Sequence, residues 1–186
     1  MKSIALSRSP GAALTTDTAA PSDPAPTDPI TRSTERTTHT MFTIDETAPV
    51  IVRLSTAINA PLEHVWALHT DIDAWADWNA DVDQAELDGP LQPGSSFRWK
   101  TYGLDITSTI REVVPGERLV WGGPANGIEG VHVWTFEETG GQVTVRTEES
   151  WSGAPVDAAV TELRQALDDS LTAWLAALKA RAEQTA

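Results

Sequence analysis

Cysteine is absent from the 186 residues. That removes disulfides, thiolate metal sites and thiol nucleophiles, and leaves the redox compartment open. Tyrosine occurs once, methionine twice and phenylalanine three times. Basic side chains are scarce, 13 against 27 acidic ones, for a formal net charge of -14. The first forty residues hold equal numbers of each sign, so the excess lies in residues 41–186. Such a surface repels phosphate backbones and anionic headgroups, which argues against nucleic acid and against polybasic membrane docking. No apolar run approaches the roughly 20 residues of a membrane span. Arg8 and Pro10 break the apolar block a signal peptide needs, so cytoplasm is the expected location.

What the chain has in excess is tryptophan, eight residues from Trp66 to Trp174. The plain reading makes them large core residues; the sharper one lets several line a cavity for a flat or apolar ligand. Residues 1–40, rich in Ser, Thr, Pro and Ala, bury too little to offset their ordering entropy and are expected to be a disordered tail. Either Met41, directly before the ordered pattern, is then the true start, or residues 1–40 are a dispensable tail. Residues 41–186 form the domain.

The domain is organised around its last stretch, Pro155 to Glu183. Val160, Leu163, Leu167, Leu171, Trp174, Leu175 and Leu178 recur at steps of three and four. This spacing predicts one helix of about 26 residues and about 40 Å. Its other face carries Glu162, Arg164, Asp168, Asp169, Lys179 and Arg181. Upstream, VIVRLSTAINAP reads as an edge-like strand, followed by two short helices over 61–71 and 71–78. A meander of strands then runs to Trp151. Tyr102-Gly103 turns a hairpin in which Lys100 faces Asp105 while Phe97, Trp99, Ile106, Ser108 and Ile110 share the other face. In the last hairpin, turned around Thr139-Gly140-Gly141, setting Phe136 opposite Val143 puts Trp134 against Val145 and His132 against Thr147. Glu149 lies on the same face, beside Gly130.

Ala60-Pro61 with Val65-Trp66, Asp71 with Trp75 and Trp78-Asn79, ITSTIREVVPGERLVW (106–121), HVWTFE (132–137) and TEESWSG (147–153) occur in an order that resembles the START-like (SRPBCC) superfamily. Within it, the likeness is to the bacterial polyketide cyclase/dehydrase and lipid-transport group, over residues 50–184. The resemblance implies an α+β helix-grip fold. A curved antiparallel sheet of about seven strands wraps a long C-terminal helix, two short helices follow the first strand, and a cavity lies between sheet and helix. It implies binding of sterols, lipids, polyketides or other apolar molecules, and in some members cyclisation, aromatisation or dehydration of polyketide chains. It supplies no shared catalytic residues, so the fold alone does not decide the function.

His132 and Glu149 are the candidate acid/base residues: an imidazole titrates near neutrality, and an inward carboxylate beside tryptophan has a raised pKa. The alternative for His132 is a structural role, held by a hydroxyl or backbone partner. Glu112 is expected at a solvated sheet rim. The expected walls are Phe97, Trp99, Ile106, Ser108, Ile110, Trp121, Trp134, Leu167 and Leu171, with Thr147 as a further polar point. The acidic stretch from Asp71 to Asp88 lacks an EF-hand pattern, and His64 and His69 have no third ligand spaced for zinc, so neither a metal nor a cofactor is expected. The expected partner is a small hydrophobic molecule, bound by a monomer or homodimer. Three functions stay open: a ligand-binding protein, a cyclase or dehydratase using the same cavity, and a regulatory module without a ligand.

Overall fold

The structure, a computed structural model, describes residues 41–184. The expectations for residues 1–40 fall outside them. Strand β1 (Val50–Ile58) leads through α1 (Leu62–Thr70) and a 3-10 helix (Ile72–Asp77) to β2 (Val82–Asp88). Strands β3 (Ser96–Thr101), β4 (Leu104–Val114), β5 (Arg118–Ala125), β6 (Ile128–Thr139) and β7 (Gln142–Ser152) follow. The chain closes with α2 (Ala154–Ala158) and α3 (Val160–Gln184). One antiparallel sheet has the order β1-β7-β6-β5-β4-β3-β2. This is the seven-stranded helix-grip architecture that the resemblance implies. No helix among the described residues is long and apolar enough to cross a membrane.

The β3–β4 register pairs Lys100 with Asp105 and Trp99 with Ile106, as the alternation requires. The β6–β7 register differs from expectation by two residues. Phe136 pairs with Val145, Trp134 with Thr147 and His132 with Glu149. The cause is the turn, which consists of Gly140 and Gly141 alone, at φ 62° and 82°. Two successive positive φ angles make the type I′ connection that matches strand twist, and glycine reaches them without strain. A shift of two leaves every side chain on its predicted face.

The terminal helix is also interrupted. It breaks at Ala159 (φ -147°, ψ 47°), and its hydrogen-bond ladder restarts with the Leu163 amide on the Ala159 carbonyl. No glycine or proline marks the break. In α3, Leu167, Leu171, Trp174, Leu175 and Leu178 are buried, the face expected from their spacing. Each such leucine contributes about 1.5–3 kcal/mol by leaving water.

Glu112 is a further correction. A register shift between Ile110 and Glu112 turns Glu112 to the convex side of the sheet, where it is buried. There the chain ahead of β1 crosses the sheet: Ile44 packs on Val120, Val131 and Val133, and the Phe42 amide donates to Glu112 Oε2. The Arg118 guanidinium lies 3.4 Å from the same carboxylate oxygen and also donates to the Phe42 carbonyl.

Candidate functional site

Helix α3 lies against β1 and stands off from the middle of the sheet. The space left is divided in two. Toward α1 it is solid: Trp75, Trp121, Trp134 and Phe97 interlock with ring centroids 5.4 to 6.3 Å apart, and Phe136 packs edge-on against Trp66 at 5.2 Å. His69, at the end of α1, is fully buried among them, 4.3 Å from Trp134 and 5.6 Å from Trp121. Neither of its ring nitrogens has a hydrogen-bond partner among the described residues. Burial pushes its pKa down to about 3, so it stays neutral.

The other half is open, a cavity of about 810 Å³. Its sheet wall is Trp99, Ile106, Ser108, Trp121, His132, Glu149 and Trp151, with Gly122, Gly123 and Gly130 between them. Its helix wall is Leu163, Ala166, Leu167, Leu171 and Trp174. Tyr102 and Leu104, both exposed, mark the open side together with Asp169 and Ser170. The close approach of strands needs glycine here: a Cβ on Gly122 would lie 2.2 Å from the Gly130 carbonyl oxygen.

Of the residues expected to form the site, Trp99, Ile106, Ser108, Trp121, His132, Glu149, Leu167 and Leu171 lie on the cavity wall. Phe97, Ile110, Trp134 and Thr147 do not. All four are buried, and Phe97, Ile110 and Trp134 lie in the main apolar core that fills the end nearest α1. Alternation assigns a face but not a depth along the strand. Trp151 and Leu163 were missed. The signal for Trp151 was available, since it stands two residues beyond Glu149 on the same strand face.

His132 and Glu149 are direct cross-strand partners, with Nδ1 3.1 Å from Oε2. On the other side of the ring Nε2 lies 2.7 Å from Thr147 Oγ1. Trp151 Nε1 donates to Glu149 Oε1 at 2.6 Å. Burial raises the Glu149 carboxyl to about 7, although the Trp151 hydrogen bond opposes the shift. Burial, reinforced by His69, holds His132 well below the ordinary imidazole range. Near neutrality the pair therefore has two close-lying forms. With Glu149 protonated, the carboxyl donates to Nδ1 and Nε2–H donates to Thr147. With Glu149 ionised, Nδ1–H donates to the carboxylate and Thr147 donates to Nε2. The site can accept or release one proton at Glu149 with only a tautomer change in His132. Among the described residues no group of three or more His, Cys, Asp or Glu side chains could hold a metal ion.

The fold and the hollow between sheet and helix define a helix-grip protein with an internal cavity. Residues 49–183 match the family described as polyketide cyclase/dehydrase and lipid transport, and the chain belongs to it. Among solved structures, it is similar to the hypothetical protein jhp0584 from Helicobacter pylori, at 21% identity and a TM-score of 0.66, covering 77% of this chain and 98% of that one. It is also similar to a START superfamily protein from Mycobacterium smegmatis, at 13% identity and a TM-score of 0.62, covering 73% and 99%. The Zhui aromatase/cyclase of a Streptomyces species aligns at 17% identity with a TM-score of 0.63, covering 72% and 93%. At these identities the likeness is one of fold. The comparison with curated proteins gives no match.

Proposed function

We propose that this protein binds a small hydrophobic or aromatic molecule in the cavity between the sheet and α3. The observation that carries this reading is the open volume of about 810 Å³, walled by tryptophan and leucine beside a solid core. A hollow of that size falls in the range of small-molecule sites, and moving an apolar guest from water onto apolar walls drives its uptake. Trp99, Trp121, Leu167 and Leu171 supply the walls, and Ser108, His132 and Glu149 set orientation. A neutral polycyclic probe, N-phenyl-1-naphthylamine, tests this: saturable quenching of protein tryptophan fluorescence is expected, weakened about tenfold or more by Leu167→Trp, which fills the space. Absence of saturable binding in the unaltered protein would refute it.

The His132–Glu149 pair supports a second reading, a cyclase or dehydratase acting on a polyketide-like chain. Ionised Glu149 takes an α-proton from between two carbonyls, and the C–H electron pair moves into an enolate. The enolate carbon bonds to a second carbonyl carbon, whose oxygen takes up a proton from Glu149. Loss of that oxygen as water, together with a further α-proton, leaves a C=C bond. In this role His132 keeps the Glu149 proton mobile. His132→Ala separates the two readings: a binding protein keeps its affinity, whereas an enzyme loses about 10²-fold or more in turnover with binding nearly unchanged.

A further inference from the structure

The cavity walls are chemically one-sided. Among the described residues no lysine or arginine lines them, and the acidic side chains that do are Glu149 and Asp169. The indole rings of Trp99, Trp121, Trp151 and Trp174 occupy much of the remaining wall. Positive potential near the site comes from the N-terminal end of α3, and Glu162 in its first turn already offsets it. The chain as a whole carries a net charge of -14.

Such a lining repels carboxylate or phosphate on a guest, because the anion would be desolvated without a cation to meet it. It favours a cation twice over. Indole faces attract ammonium groups through their quadrupole, and a carboxylate only partly shielded from water pairs with them. Glu149 is placed for that: its side chain is 15% exposed, its two oxygens each have one protein partner, and an accepting lone pair remains on each.

We infer that the guest is a flat, ring-bearing amine, with its rings against the tryptophan walls and its ammonium on Glu149, and that fatty acids and other apolar anions are excluded. This rests on the reading of the cavity as a ligand site and names the class of molecule it takes. Asp169, at the open side, would draw the cation in without contacting it in the bound state.

The test is calorimetry of the full chain near neutral pH with three probes sharing one ring system, 1-pyrenemethylamine, 1-pyrenemethanol and 1-pyrenecarboxylate. The amine is expected to bind about tenfold more tightly than the alcohol, and the carboxylate most weakly. Glu149→Gln should bring amine and alcohol to within about threefold of each other. Binding of all three with the alcohol or carboxylate equal to or ahead of the amine overturns the inference and leaves the cavity reading standing. An amine preference that survives in both Glu149→Gln and Asp169→Asn overturns it too, by assigning the effect to diffuse surface charge. Failure of all three probes to bind overturns the cavity reading, and the inference with it. The ranking in the unaltered protein decides the matter even if a variant fails to fold.

Discussion

Nδ1 of His132 lies 3.1 Å from Oε2 of Glu149, its direct partner across β6 and β7. Two groups that both resist charge in a buried setting thus share a single proton position. Folding raises the Glu149 pKa from the model-peptide value of 4.5 to about 7. In that window the folded form holds a proton that the unfolded chain has lost. Its contribution to stability is therefore complete below pH 4.5 and disappears as pH rises through about 7. Glu149→Gln should abolish this slope. Relative to the variant, the unaltered protein should lose on the order of 2 kcal/mol between those limits, measured by urea unfolding across the pH range.

His69 works in the opposite direction. Its folded pKa is pushed down to about 3 from 6.5, so the unfolded chain binds the extra proton. The stability it confers is present above pH 6.5 and falls away as pH drops toward 3. His69→Phe, which keeps a ring in the aromatic box and removes two unpartnered nitrogens, should make the protein more resistant to acid. Thermal unfolding at about pH 4 and pH 7 would show the gain concentrated at the lower value.

On the convex side, Arg118 is 11% exposed and the Glu112 beside it 3%. Removing one member of so buried a pair strands the other. Arg118→Met should cost about 3 kcal/mol, and adding Glu112→Leu should recover most of it. Denaturant midpoints of the two single variants and the double variant form the cycle that measures the coupling.

Gly130 offers a way to alter the hollow without disturbing its frame. A Cβ there would meet Trp151 at 3.6 Å and Glu149 at 3.8 Å, ordinary contact distances. Gly130→Ala should fold normally and bind polycyclic probes more weakly as ring number increases. Gly122→Ala, whose Cβ would lie 2.2 Å from the Gly130 carbonyl oxygen, should be strongly destabilised. Comparing melting temperatures with probe affinities distinguishes the two glycines.

Much of the architecture was legible in the chain because alternation and helical spacing are local. The Lys100–Asp105 pairing and the buried stripe from Leu167 to Leu178 could be read directly. What escaped depends on turn geometry or on distant partners. The β6–β7 register turned on whether Gly140 and Gly141 alone make the turn, and the error left His132 inward-facing because it was an even number. The burial of Glu112 required both a strand irregularity and a segment seventy residues away. Nothing in periodicity could say that Trp134 lies wholly in the solid half of the interior while Trp121 also faces the hollow.

Among the described residues the first strand has a single strand neighbour, the last. Val50 pairs with Trp151, roughly a hundred positions downstream. During synthesis, strands β2 to β7 can zip together as hairpins while β1 and α1 wait unpaired. Closing this edge of the sheet therefore waits for residues about a hundred positions downstream and carries the loop-closure entropy of that separation.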